Sequence, residues 1–269
     1  MIKTLLLHAS EDAGLDARLE AAIACARSFD GHLICLQVTA VDTIFVGDPL
    51  GDSYALPVIA DEIRDRQNRH RQRIEARLRE SGVSWEWLQR DGLAFEEILA
   101  TSRLADAIVL SSAVPGGEHD LGTIASRIAL RARAIVLAIP AAMSSFDPRG
   151  RALVAWNDSP EAAHALSLAL PILHTAREVQ LVHVREDASS GSCDAAGDYL
   201  RRHGIASEIH EWDPLGRSVG ETLIDAARLV KADFIVMGAY GHSRFAELVL
   251  GGATRAMLRN SPVPLLLSH

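Results

Sequence analysis

Four glycines near the end of the sequence have a spacing that suits the binding of phosphate. Gly238 follows the apolar run FIVM, Gly241 lies three residues further on, and the pair Gly251 and Gly252 precedes the helical pattern ATRAMLRN. Glycine lets a phosphate approach the backbone, and the N–H groups at a helix start attract anions. The alternative is that these glycines only form turns and a helix cap, and their spacing alone leaves both interpretations open.

The segments around the glycines indicate a parallel α/β fold. In the second half of the chain, the strand-like runs ALVAW, VQLVHV, SEIHEW, DFIVMG and VPLLLS alternate with helical patterns. This alternation predicts five parallel strands with helices on both faces. Ser159 and Pro160 predict the start of the first helix. Ligands of such sheets bind beyond the carboxyl ends of the strands, where the glycines and the loop WNDSP both lie.

The first half of the chain repeats the pattern of the second. RLADAIVLSSAV parallels LVKADFIVMGAYG, and LGTIASRIALRARAIVLAIP parallels LGGATRAMLRNSPVPLLLSH. The repeat predicts two homologous domains, residues 1–143 and 149–269, joined through AAMSSFDPRG. In the first domain Ser111 and Val114 replace two of the glycines, so we expect a degenerate site there. Its long helix DEIRDRQNRHRQRIEARLRESG has mixed charges, which predicts a solvated face.

The composition disfavours several classes of partner. The formal charge is −8 and aromatic residues make up 5% of the chain, which disfavours nucleic acid and anionic membranes as partners. No apolar run reaches the roughly 20 residues that cross a bilayer, and no leader sequence is recognisable, so we expect a cytoplasmic protein. The three cysteines are widely spaced and form no CxxC motif, which disfavours a disulfide framework or a zinc site.

The motif G-x2-G-x9-G, taken with the loop WNDSP and the strand LVHV, resembles the nucleotide-binding motif of the universal stress protein (UspA) family. The resemblance covers both halves and implies a tandem member with two doubly wound, Rossmann-like domains of the adenine nucleotide alpha hydrolase-like type. Each domain would hold a five-stranded parallel sheet. The halves would form a pseudo-dimer in which AIVLAI and VPLLLS face each other, and the chain would stay monomeric or pair again as a homodimer.

The resemblance also implies a set of contacts with an adenine nucleotide. They are Ala155, Trp156 and Asn157 beside the adenine and ribose, Val184 against the base, Met237 and Gly238 near the sugar, Gly241 and His242 beside the phosphates, and Gly251, Gly252, Ala253 and Thr254 on the phosphate tail. Two positions depart from the family pattern: Asn157 stands where Asp is usual, and Gly252 replaces Ser or Thr. One lost neutral hydrogen bond of about 0.5–1.5 kcal/mol would weaken binding about tenfold.

The motifs of catalysis are missing from the sequence. It contains no GKS or GKT and no GxSxG, and no catalytic residue or metal ligand is assigned. Asp158, Glu186 and Asp187 are interpreted as caps or solvated residues rather than Mg²⁺ ligands. We therefore expect non-catalytic binding of ATP, with or without Mg²⁺, in a stress-response or signalling role. Two alternatives stay open: a nucleotide-free module for protein partners, with a side chain such as Trp156 filling the crevice, and a slow ATPase.

Overall fold

The computed structural model describes residues 1–39, 55–112, 121–185, 192–240 and 252–269, and gives only the backbone of residues 55–61 and 121–123. In the first half the described elements are β1 (Thr4–His8), α1 (Leu15–Phe29), β2 (His32–Thr39), α2 (Ala55–Ser81), β3 (Ser84–Asp91), α3 (Ala94–Thr101), a 3₁₀ turn (Ser102–Leu104), β4 (Ala107–Ser111), α4 (Leu121–Ala129) and β5 (Ile135–Ile139). In the second half they are β6 (Arg151–Trp156), α5 (Pro160–Leu173), β7 (Glu178–Val184), α6 (Asp194–Arg202), β8 (Glu208–Trp212), α7 (Val219–Leu229), β9 (Phe234–Gly238), α8 (Gly252–Asn260) and β10 (Leu265–Ser268).

The strands of the described ranges form one ten-stranded sheet in the order β3-β2-β1-β4-β5-β10-β9-β6-β7-β8. Each half contributes five parallel strands, as the sequence predicts. The two sets join through the antiparallel pair β5 and β10, where Leu265 lies opposite Ala138 and Leu267 opposite Val136. The predicted meeting of AIVLAI and VPLLLS is thus confirmed, and it joins the halves edge to edge.

The strands are apolar on both sides because helices cover both faces of the sheet. The face beneath α1, α2, α5 and α6 holds one core cluster, which includes Leu7, Val154 and Phe234. The opposite face, beneath α3, α4, α7 and α8, holds a second cluster, which includes Leu153 and Met237. Side chains at alternate strand positions therefore point into different clusters, and this alternation decides which site residues can meet.

Side-chain caps fix the helix starts of the second half. Ser159 caps α5 as predicted, with its hydroxyl accepting from the N–H of Ala162 at 3.1 Å. Ser218 and Glu221 form a capping box at the start of α7 that the sequence analysis missed. Gly204, which follows α6, has a φ of +72°, a conformation that favours glycine at a helix end.

The three cysteines are free thiols buried in the core. Burial raises the pKa of Cys25 and Cys35 to about 12 and that of Cys193 to about 11, so all three stay protonated near neutral pH. No helix in the described part of the chain is both long and apolar enough to cross a membrane.

Candidate functional site

Five of the expected nucleotide contacts lie at the carboxyl ends of three adjacent strands, and one of them, Gly238, ends β9. Ala155 at the end of β6 lies opposite Met237 of β9, and Trp156 lies opposite His183 of β7. Val184 ends β7 one residue further on. Ala155, Val184 and Met237 belong to the same face of the sheet, beneath α7 and α8, so the strand register brings these three together.

Trp156 is held in the core rather than lying in the open crevice. Its side chain packs in the cluster beneath α5 and α6, and its Nε1 donates to the carbonyl of Ser192 at 3.2 Å. Its own carbonyl accepts from Nδ1 of His183 at 2.9 Å, which leaves Nε2 of that buried histidine without a partner among the described residues. Asn157 is exposed and accepts from the N–H of Ser159 at 3.4 Å.

Gly238 is required by the packing of a neighbouring helix. A Cβ at Gly238 would lie 2.6 Å from the backbone nitrogen of Ala162 and 2.7 Å from the carbonyl carbon of Glu161. The start of α5 therefore rests directly on the end of β9. The sequence analysis interpreted this glycine as a place for phosphate to approach the backbone or as part of a turn, whereas the structure shows a close helix–strand contact.

The chain leaves β9 through a constrained turn. The N–H of Ala239 donates to the carbonyl of Ser268 at 2.8 Å, and that of Tyr240 donates to Oγ1 of Thr254 at 3.3 Å. Tyr240 has a φ of +74°, a conformation that is costly for a bulky residue. Burial raises the pKa of Tyr240, and the neighbouring hydroxyl of Ser126, in the first half, partly offsets this effect. Thr254 thus ties the turn to α8.

The start of α8 is open. A Cβ on Gly252 would have no atom within 4 Å, and the residue is exposed. Ala253 packs beside Gly220, where a Cβ would lie 2.8 Å from the Cβ of Ala256, so α7 and α8 are in close contact. Gly241, His242 and Gly251 lie outside the described residues.

In the first half, the loop after β1 and the end of β4 are joined by the buried guanidinium of Arg18. Extended without gaps from β1 and β6 into the following helices, the alignment of the two halves pairs Arg18 of α1 with Ala165 of α5, and the buried positions of the two helices agree with it. Arg18 is fully buried and donates to both carboxylate oxygens of Asp12 at 2.7 Å, to the carbonyls of His8 and Ser10 at 3.1 and 2.9 Å, and to Oγ of Ser111. Arg18 therefore ties the loop after β1 to the end of β4, and its five hydrogen bonds all go to protein acceptors.

At a second aligned position the first half has a large side chain where the second half has a small one. His8 aligns with Ala155, so an imidazole lies on the face where the second half has a methyl group. It is 5% exposed, and burial, assisted by the charge of Arg18 and opposed by that of Asp12, lowers its pKa to about 3. His8 is consequently neutral at physiological pH.

Both halves have a glycine at the contact between the first helix and the fourth strand, but it belongs to the helix in the first half and to the strand in the second. Gly14 at the start of α1 aligns with Glu161, and Ser111 at the end of β4 aligns with Gly238. A Cβ on Gly14 would collide with Oγ of Ser111. Each half therefore keeps one glycine at this contact, on the helix in the first half and on the strand in the second.

Two groups beside β9 were missed by the sequence analysis. Oε2 of Glu161 is buried and has no hydrogen-bond partner among the described residues. His164 of α5 contacts the carbonyl of His269 through Nδ1 at 2.7 Å, and Nδ1 of His269 donates to the carbonyl of Ala239 at 2.8 Å. An alignment of the repeats that extends through the first helix pairs Glu161 with Gly14 and would have drawn attention to it. In the described part of the chain, no three His, Cys, Asp or Glu side chains are grouped so as to hold a metal ion.

Comparisons with known proteins place these features in a family. A family model described as the universal stress protein family matches residues 148–269. Curated universal stress proteins of Mycobacterium tuberculosis and Mycobacterium bovis are 29% identical over 83 residues, which is 31% of this chain and 28% of each relative.

Two solved structures match nearly the whole chain. A universal stress protein from Archaeoglobus fulgidus has a TM-score of 0.72 at 18% identity and covers 98% of this chain and 95% of its own. A putative universal stress protein from Pseudomonas aeruginosa has a TM-score of 0.59 at 18% identity, with coverage of 99% and 93%. At these identities the two structures establish the fold across both halves. Residues 148–269 of this chain thus match the universal stress protein family, and the first half has the same fold.

Proposed function

We propose that the second half of this protein binds an adenine nucleotide, ATP, without catalysis, in a stress-response or signalling role. One observation carries the proposal. At the carboxyl ends of the central strands the second half has Ala155 and Ala165, where the first half has His8 and a fully buried Arg18. Of the two alanines, Ala165 is fully buried in the core and Ala155 is partly buried, so it is Ala155 that would leave room for a ligand where the first half has His8.

The base and the sugar would lie at the strand ends. Ala155, Val184 and Met237 share one face of the sheet and supply the apolar contact that an adenine ring requires. The backbone of Trp156, with Asn157 and Gly238, would border the sugar. Asn157 offers an amide in place of the usual carboxylate and so keeps an acceptor without its charge.

The phosphates would meet the start of α8. The free N–H groups of its first turn, from Gly252 to Thr254, carry the positive end of the helix dipole. The open space around Gly252 fits the approach of a phosphate group. Gly241, His242 and Gly251 complete the proposed phosphate contacts, and Mg²⁺ would reach the site through the phosphates.

The two proposed domains, residues 1–143 and 149–269, would then have different roles. The first, whose crevice is filled by Arg18 and His8, serves as a scaffold and pairing surface that needs no ligand. The continuous sheet supports this division, because β5 gives β10 a partner along the seam.

Titration of the purified full chain with ATP in a calorimeter tests the proposal. We expect one site per chain, and we expect Gly252→Val to weaken it at least about tenfold by covering the N–H groups. A Cβ on Gly252 meets no atom of the described residues within 4 Å, so we expect the fold to be retained, whereas a side chain on Gly238 would collide with α5. The matched control is Thr123→Val at the aligned position of the first half, which leaves binding unchanged. A wild-type protein that takes up no ATP refutes the proposal.

A further inference from the structure

Glu161 presents a buried carboxylate oxygen without a donor. It is the second residue of α5, and its Cβ lies 3.0 Å from the position of a Cβ on Gly238, so it stands over the end of β9. Its Oε2 is buried and has no hydrogen-bond partner in the described ranges. The start of α5 favours a negative charge, but a buried oxygen without a donor still has an unfavourable free energy.

The first half shows what this place can hold. Gly14, which aligns with Glu161, has no side chain, and a Cβ there would lie 3.3 Å from Nη1 of Arg18. In the first half, a hydrogen-bond donor of Arg18 therefore lies beside the position that corresponds to the Cβ of Glu161. In the second half the counterpart of Arg18 is Ala165, which has no donor to offer. The chain thus supplies the donor in one half and leaves it to a ligand in the other.

The place of Glu161 restricts which part of a nucleotide can supply the donor. Phosphates carry negative charge and are repelled. The adenine amino group would lie with Ala155, Val184 and Met237, on the face of the sheet opposite to the α5 side that Glu161 occupies. A Mg²⁺ ion takes most of its ligands from phosphates and water, so it would lie with the phosphates rather than beside Glu161. A sugar hydroxyl needs only one acceptor.

We infer that the carboxylate of Glu161 accepts a hydrogen bond from one ribose hydroxyl and so selects nucleotides that carry this hydroxyl over analogues that lack it. The inference rests on the proposed nucleotide site and adds its sugar specificity. A hydrogen bond to a charged group is among the stronger ones, and its loss in a deoxynucleotide leaves the carboxylate unpaired again. Selection by such a built-in acceptor is steeper than selection by the shape of a pocket.

The test compares the affinities of ATP, 2′-deoxy-ATP and 3′-deoxy-ATP for the full chain by calorimetry, with Mg²⁺ and with EDTA. We expect the wild type to bind one of the deoxynucleotides at least about tenfold more weakly than ATP, with and without Mg²⁺. Glu161→Ala brings this ratio to about one, and Glu161→Gln, which keeps a neutral acceptor, gives an intermediate ratio. The matched control is Glu96→Gln, an exposed carboxylate in the first turn of α3, which keeps the wild-type ratio.

Three outcomes overturn the inference, and they are distinguishable. Equal binding of all three nucleotides by the wild type, or an unchanged ratio in Glu161→Ala, removes the sugar contact but leaves the nucleotide site. A loss in Glu161→Ala that occurs only with Mg²⁺ assigns the carboxylate to the metal. If the wild type binds none of the three, the proposed function fails and the sugar contact fails with it.

Discussion

The two halves share one fold but organise the ends of their central strands differently. In the first half a buried guanidinium, that of Arg18, joins the loop after β1 to the end of β4 through Asp12 and Ser111. In the second half the aligned residue is Ala165, and the helix start presents Glu161 with an unpaired oxygen. Buried polar atoms without a partner among the described residues occur in both copies, Nε2 of His8 in the first and Oε2 of Glu161 in the second. The first copy therefore differs by the internal contacts of Arg18 as well as by the replacement of two glycines by Ser111 and Val114.

The largest effect is expected when the internal ion pair of the first half is broken. Arg18→Leu leaves Asp12 without its cation and two carbonyls without donors, which we expect to lower the free energy of unfolding by about 3 kcal/mol. Arg66→Leu removes an exposed partner of Glu11 and is expected to cost less than about 1 kcal/mol. Urea unfolding of both variants makes the comparison. Equal losses would show that Arg18 is not the connection on which the first half depends.

The exchanged glycine predicts a coupled pair of substitutions. Gly14→Ala places a Cβ against Oγ of Ser111 and should lower the free energy of unfolding by about 2 kcal/mol. In the Ser111→Gly background the same substitution should cost markedly less, because the obstructing side chain is gone. A double-mutant cycle by denaturant unfolding measures the coupling. Additive losses would contradict the account of one glycine per helix–strand contact.

The first half should also carry an acid sensitivity through the buried imidazole of His8. The pKa of His8 is lowered to about 3 in the folded chain, so the unfolded chain, with a value near 6.5, binds the proton first. Its contribution to stability is therefore complete above about pH 6.5 and is lost as the pH falls towards 3. His8→Ala should reduce the slope of unfolding free energy against pH by up to about 1.4 kcal/mol per unit between pH 6 and 4. Parallel profiles for variant and wild type would assign the acid sensitivity elsewhere.

The smallest effect should come from restoring a hydroxyl to the second half. Gly252→Ser adds a donor at the open start of α8, where a Cβ meets no atom within 4 Å. One neutral hydrogen bond of about 0.5–1.5 kcal/mol should tighten ATP binding by about threefold to tenfold. Calorimetric titration measures the change for ATP, 2′-deoxy-ATP and 3′-deoxy-ATP. The gain should be the same for all three, because the added hydroxyl faces the phosphates that they share. Weaker binding would mean that the phosphates do not reach this end of α8.

Much of this architecture was predictable from the sequence, because it rests on local patterns. The alternation of apolar runs and helical segments predicted the five strands of the second half, and Ser159 and Pro160 predicted the start of α5. These features depend on residues close together in the chain. The pairing of β5 with β10 was implied instead by the resemblance to the universal stress protein family.

The side-chain arrangement at the strand ends was not predictable, since it depends on contacts between distant residues. Arg18 and Ser111 meet across 93 positions of sequence. Glycine is common in turns, and only the close approach of Ala162 to Gly238 shows that packing requires a glycine at this position. From the sequence, Trp156 could be a ligand contact or a core residue. The hydrogen bond from its indole to the carbonyl of Ser192 shows that its side chain is held in the core.

The most direct test of the central claim is the number of nucleotides that each chain holds. Native mass spectrometry of the full chain with saturating ATP should show one nucleotide per chain. Ala155→His, which copies the first half into the second, should remove it, and His8→Ala should leave it in place. Two nucleotides per wild-type chain, or one that persists in Ala155→His and disappears in His8→Ala, would contradict the assignment of an open second half and a filled first half.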